Sequence, residues 1–475
     1  MNKHYSRSRR EFLRSAGRAG LATAGAAALF GKLGLIQTAL AVDAMCPDYP
    51  PVTDYRALVC VFLAGGNDSF NLIVPSDSAR HAVYAASRDA VALPIDQLLP
   101  MDVLGAPPGY QYGLHPSCLE MADIFNNGNG AFVVNTGTLV QPTTKSQYLG
   151  GGHPVPPQLF SHADQQAQWQ FGQPVANGTV GWGGLVADHL DILNAGSTVP
   201  MSISLSGQNR LQAGKLVQPY TLTSNGPTPL IGYNSAFSAP QREALGALLA
   251  QGYADPLTRT YAATMNHAVD YYTSITAALA DAPPIDTPFP DGNALADALK
   301  MIAQVISVRE QLGVHRQIFF VTMGGFDTHD DQISDQPGLF STLSQALGAF
   351  HQATGELGIS NGVTTFTLSE FARTLNSDGD GTDHAWGGNQ FVMGGAVQGQ
   401  RLYGTPAVSG DIFPDLTLDG PDCLQRGQMI PATSCDQYSA TLARWMGVSD
   451  CDLAEIFPYL GNFASSDLGF MNPAA

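Results

Sequence analysis

Gln317-Ile318-Phe319-Phe320-Val321-Thr322-Met323-Gly324-Gly325-Phe326-Asp327-Thr328-His329 changes character halfway along. From Ile318 to Val321 the apolar positions are consecutive, so both faces of an extended strand are apolar, as in a strand covered on both sides. Gly324 and Gly325 then permit a tight turn. Asp327 and His329 follow, flanking a single residue, and a loop of that spacing can aim a carboxylate and an imidazole at one cation. In open parallel sheets, ligands gather beyond the carboxyl ends of strands, where this pair would lie.

The same grammar recurs along the chain. Apolar runs over residues 57–66, 131–137, 201–207, 363–369 and 391–395 end in small or polar residues and read as further buried strands. Between them lie helical stripes. Leu295, Leu299, Ile302 and Ile306 fall on one face, as do Leu339, Leu343, Leu347 and Phe350. Strand–helix alternation predicts an α/β fold, a mostly parallel central sheet with helices on both faces. Residues 148–184, rich in Gly, Pro and Gln, read as a loop region with short helices. Residues 208–293 form a second insertion that carries a helical stretch over 258–280 and closes in the Pro-rich segment 281–293. No polar linker of useful length accompanies that segment, so residues 42–475 are expected to form one domain.

The other polar clusters also follow predicted strands. Gly65-Gly66-Asn67-Asp68-Ser69 comes after the first, and Asp68 can bind a metal, orient a hydroxyl or cap a helix. Ser369-Glu370-Phe371-Ala372-Arg373 comes after the 363–369 run. Glu370 is a candidate metal ligand or general base, and one helical turn would bring Arg373 to its side, to hold an anion or to neutralise it. Residues 378–388 alternate acidic and glycine positions, which hints at calcium. The acid required at the twelfth place of an EF-hand loop is missing, so Asp383-His384 fits a transition-metal or phosphate-type site better. Trp386 is open to reading as a lid, a substrate platform or local packing. Asn135, Thr136 and Thr138 could present a hydroxyl nucleophile, and His162 with Asp164 near a helix start, His153 and His115 are weaker candidates. Gly-x-Ser-x-Gly is absent, and no Gly-x-Gly-x-x-Gly follows the first strand, which disfavours an α/β-hydrolase elbow and a dinucleotide site.

At the other end, Ser8-Arg9-Arg10-Glu11-Phe12-Leu13 forms a twin-arginine export box, followed by an Ala/Leu-rich stretch and the small-x-small triplet Ala39-Leu40-Ala41. Residues 1–41 are therefore expected to be a cleaved signal peptide read by the twin-arginine machinery. The mature chain would be periplasmic or secreted, without stable membrane insertion. Of 22 Lys and Arg, seven lie in this leader, leaving 15 against 39 acidic residues. So acidic a chain has little with which to neutralise nucleic-acid phosphates, although a bound metal can invert the local field for a small anionic substrate. An oxidising destination permits disulfides. Cys423, Cys435 and Cys451 cluster late in the chain, where one local pair is expected, and Cys60 reads as a buried thiol.

Taken together, the leader and the segments 63–69, 324–329, 369–374 and 383–388 resemble the exported bacterial family called domain of unknown function 1501, over nearly the whole mature chain. That family is distantly similar to the alkaline phosphatase and sulfatase superfamily. The resemblance implies an alkaline phosphatase-like domain and one or two divalent ions (Zn, Mn or Ca), with Asp68, Asp327, His329 and His384 as metal ligands. Glu370, Arg373 and a nucleophile near Thr136 would assist. Ser369-Glu370 departs from the superfamily's Asp-His pair at that place. The expectation is an exported metal-dependent hydrolase of small anionic phosphate or sulfate esters. The rival is a non-catalytic envelope scaffold of the same fold, and a cofactor-binding oxidoreductase is suggested by the export route alone.

Overall fold

The computed structural model describes residues 49–472 except 175–177, 232 and 235–236. The expected signal peptide lies outside the described residues. No helix among them is long and apolar enough to cross a membrane.

Among the described residues, nine strands form the main sheet: β1 (Arg56–Leu63), β2 (Gly130–Gly137), β3 (Ser202–Ser204), β4 (Tyr220–Thr221), β5 (Arg316–Met323), β6 (Val363–Leu368), β7 (Gly388–Met393), β8 (Leu402–Tyr403) and β9 (Thr433–Ser434). Their spatial order is β8-β2-β7-β6-β1-β5-β3-β4, with β9 paired to β2. Only β7 runs against its neighbours β2 and β6. Central β1 pairs in parallel with β5, Leu58 opposite Ile318, and with β6, Leu58 opposite Thr364. The sheet is therefore the mostly parallel one that the apolar runs predict. The direction of β7 was not legible, because an apolar run carries no sign of its polarity, and the run at 201–207 contributes only the three residues of β3.

Alternation along β1 explains why its sequence is apolar throughout. Ala57, Val59, Val61 and Leu63 join a cluster with Leu299, Ile302, Phe340 and Leu343. These partners come from α3 (Ala294–Ser307) and α4 (Gln332–Glu356), following α1 (His162–Phe171) and α2 (Trp182–Leu190) in the chain. Leu58, Cys60 and Phe62 point the other way and are equally buried. On that side α5 (Cys435–Met446) lies against β1, with Tyr438 packed on Phe366, and Trp182 of α2 reaches the same ring. Burying both faces yields roughly 1.5–3 kcal/mol per large apolar side chain, against backbone ordering costs of similar total size.

The insertion over 208–293 carries two helices, Ala239–Leu249 and Pro256–Ala280, and the Pro-rich segment runs from the second to α3. The late cysteines differ from expectation. Cys423 and Cys435 are buried free thiols and Cys451 is disulfide-bonded, so the local pair does not form. Cys423 and Cys435 sit in separate packed surroundings, the first against the Thr417 carbonyl and the second beside Asp436. Cys60 is a buried free thiol.

Candidate metal centre

Three loops leave the carboxyl ends of adjacent parallel strands β1, β5 and β6, and backbone hydrogen bonds lace them together. Phe326 N donates to Ala64 O at 3.2 Å and Thr382 N to Thr328 O at 3.1 Å, and Arg373 and His384 form a bridge. The approach is close enough to require glycine. Gly65 has φ +121°, and a Cβ placed there would lie 2.4 Å from the Asp327 nitrogen.

These loops and the start of α1 converge on four side chains. The Nε2 atoms of His162 and His384 lie 3.0 Å apart, as do those of His329 and His384. Asp327 Oδ1 is 3.0 Å from His329 Nε2 and 3.3 Å from His384 Nε2, and its Oδ2 is 3.4 Å from His162 Nε2. Phe371, itself buried, packs its ring against both His162 and His384. Burial pushes the Asp327 carboxyl upward, but the hydrogen bond and charge of Arg373, with His162 and His329 nearby, outweigh it and hold the group below its ordinary range.

The outer nitrogens settle what the inner ones present. His384 Nδ1 lies 2.8 Å from the Phe160 carbonyl, an acceptor only, so Nδ1 carries the proton. His162 Nδ1 lies 2.9 Å from Glu370 Oε1 and donates to that carboxylate. In the neutral tautomers that these outer bonds select, the two Nε2 lone pairs face each other at 3.0 Å, a repulsive arrangement unless a cation or a proton stands between them. A metal-ligating histidine typically shows this outer partner, a carboxylate or a backbone carbonyl. Ligands each 2.0–2.1 Å from a tetrahedral zinc lie roughly 3.3 Å apart, close to the spacings here. The donor set therefore fits a divalent ion.

Asp327, His329 and His384 come together, and His162, a weaker candidate on sequence grounds, joins them. Glu370 is fully buried, and its Oε1 accepts from Gly65 N, His162 Nδ1 and Gln166 Nε2, each at 2.9 Å. It holds His162 rather than reaching the cluster's centre itself. The helical turn expected after Ser369 is absent. Residues 369–374 are irregular, with a bend at Glu370 and a single bridge from Arg373 to His384, and Arg373 reaches Asp327 Oδ1 at 2.7 Å instead of Glu370.

Asp68 belongs to a different arrangement. Its carboxylate pairs with Arg88 and accepts from Gln332 Nε2 at 2.6 Å, with both members of the ion pair fully buried. Thr136 lies buried in β2, its hydroxyl turned back on the carbonyls of Val133 and Val134. Asn135 and Thr138 are engaged as well, with the Ile430 carbonyl and Gln165. Trp386 is core packing, its Nε1 donating to Thr138 O at 2.8 Å. Asp378 and Asp383 both face Arg426, at 3.2 and 2.6 Å. Asp331 stands at the N-cap of α4 without a side-chain capping bond. Neither Arg88 nor Arg426 carried any spacing signal; only their being basic in an acidic chain marked them.

The sequence profile described as "Protein of unknown function (DUF1501)" matches residues 55–413. The chain belongs to this family. Every residue of the DUF1501 protein's cluster lies within the matched span. No curated protein matches the chain. Solved structures to which it is similar include a variant of the alkaline phosphatase PafA, at 10% identity and TM-score 0.28, covering 68% of this chain and 64% of that one. Others are Ps i-CgsB in complex with k-i-k-neocarrahexaose (8% identity, TM-score 0.29, 88% and 75% covered) and BT1596, a 2-O GAG sulfatase (8%, 0.28, 74% and 66%). The chain thus spans slightly under two thirds of the first.

Proposed function

We propose that this DUF1501 protein is a metal-dependent hydrolase of phosphate or sulfate esters, exported through the twin-arginine machinery and working in the periplasm or outside the cell. One observation carries the reading. The Asp327 carboxylate lies 3.0–3.4 Å from the Nε2 atoms of His162, His329 and His384, and His384 Nε2 lies 3.0 Å from each of the other two, with two of the imidazoles held from behind. His162, Asp327, His329 and His384 would hold the ion, which supplies Lewis acidity and a lowered pKa for bound water. The protein's own part is positional. Glu370 fixes the His162 ring and Arg373 fixes Asp327.

The neighbouring hydroxyls are all engaged. Thr328 and Thr382 donate to Gln332 Oε1, and Ser369 to the Leu63 carbonyl. The attacking group is then water rather than a side chain. The test is a panel of phosphate monoesters, phosphate diesters and sulfate esters, assayed after chelation and after return of each divalent ion. Turnover that needs the ion and disappears in His384→Ala is expected, and no turnover with any ion refutes the hydrolase. The same engaged hydroxyls favour the second reading, a metal-containing envelope scaffold, which gains if the ion binds and the whole panel is inert.

A further inference from the structure

We propose that the centre takes a single borderline transition ion of the zinc type, because arginines already hold the carboxylates that a second ion or a calcium ion would need. The proposal rests on the metal-dependent reading above and narrows it.

The donors decide the class of ion. Imidazole nitrogen suits zinc, cobalt, nickel and copper, whereas calcium takes six to eight oxygen ligands. Three of the four converging groups here are imidazoles, and Asp327 is the one carboxylate among them. Asp383, Asp68 and Glu370 each have partners of their own. Asp383, whose carboxylate lies within 4.8 Å of the His329 and His384 nitrogens, is held by Arg426 Nη1 at 2.6 Å on one oxygen and by the His384 amide at 2.8 Å on the other. Asp68 is paired with buried Arg88. Glu370 Oε1 already accepts three hydrogen bonds.

Charge points the same way. Arg373 donates to Asp327 Oδ1 at 2.7 Å, and Arg426 stands on the far side of Asp383. A second divalent ion would meet two guanidinium groups, and the carboxylates beside them are already paired with those arginines. At short range in a partly dry site such repulsion is only weakly screened.

The experiment uses the full chain, stripped with a chelator and titrated calorimetrically with Zn²⁺, Co²⁺ and Ca²⁺ separately. Bound metal is counted by mass spectrometry after gel filtration, and the visible spectrum of the Co²⁺ form is recorded. One Zn²⁺ or Co²⁺ per chain is expected, with Co²⁺ ligand-field bands of nitrogen-rich coordination and no displacement by a large excess of Ca²⁺. Glu370→Gln should weaken binding ~10–100-fold, the usual effect of losing an outer partner, and His162→Asn by more. Asp383→Asn and Asp68→Asn should keep the single ion. Asp383→Asn alters a part-exposed side chain, so its result stands even where Asp68→Asn fails to fold. Two tightly bound ions, Ca²⁺ competing at similar concentration, or loss of the ion in Asp383→Asn would overturn the proposal. No bound ion at all overturns both this and the metal-dependent reading. One ion without ester turnover overturns the hydrolase and leaves this inference in place.

Discussion

Replacing Asp68 by Asn separates two roles that one aspartate could have. As a metal ligand it would cost the protein its ion and little stability. As placed here, it balances Arg88, and both side chains have no exposed surface. Arg88 keeps other acceptors in the variant, at 2.7 Å to Thr374 O, 3.0 Å to Leu375 O and 3.1 Å to Asn71 Oδ1. What disappears is the counter-charge rather than the hydrogen bonding. Gln332 Nε2 also loses its charged acceptor at 2.6 Å. Breaking one side of a buried pair costs about 3–5 kcal/mol, and the surviving hydrogen bonds place this case near the lower end, about 3 kcal/mol. Urea unfolding gives the number as a shift in midpoint at constant slope. Adding Arg88→Met should recover much of the loss, because the stranded charge is then gone. A loss under ~1 kcal/mol together with disappearance of the bound ion would show that Asp68 serves the metal, and the reasoning here would fail.

Three further perturbations follow from burial and backbone geometry. Asp436, fully buried at the start of α5, has its carboxyl pushed up to about 8 by desolvation, partly countered by the Cys435 thiol. Between about pH 4 and 8 the unfolded chain ionises there and the folded one does not, so raising the pH costs stability. Asp436→Asn should remove this slope and gain at most on the order of 4 kcal/mol at pH 7, and equal unfolding slopes at pH 5 and 8 in both proteins would contradict it. Buried His115, lowered to about 4 by desolvation, acts in the opposite sense. Its stability contribution is present above the unfolded value near 6.5 and is lost as the pH falls to about 4, about 3 kcal/mol in all; a histidine-resolved NMR titration showing an ordinary pKa for His115 would rule this out. Gly65→Ala must move the Asp327 backbone, which a Cβ would meet at 2.4 Å, so Zn²⁺ affinity should fall and stability drop by about 1–3 kcal/mol; unchanged calorimetric affinity would show that the loop is not tied to the centre.

How far the sequence reached follows from the range of each signal. Strand identity is local. The run at Ile318–Val321 had only to be apolar on both faces to be read, and β1, β2, β5 and β6 appear where their runs lie. The pairing of Asp327 with His329 is local too, two residues apart in one loop. His162 is a different case. It opens α1 in a Gly/Pro-rich segment, and its partners Asp327, Glu370 and His384 are 165, 208 and 222 residues away in the chain, so no spacing could tie it to them. The pair Asp68–Arg88 shows the converse limit. Twenty residues separate the two, and the sequence offers Asp68 equally to a cation or to a guanidinium. What decides is that Arg88 is carried into the core by the helix Ser78–Arg88, a tertiary fact. Local chemistry therefore names which residues are able to bind a metal. Which carboxylates remain available is settled by where the arginines fold: Arg373 engages one oxygen of Asp327, whereas Arg426 and the His384 amide take both oxygens of Asp383.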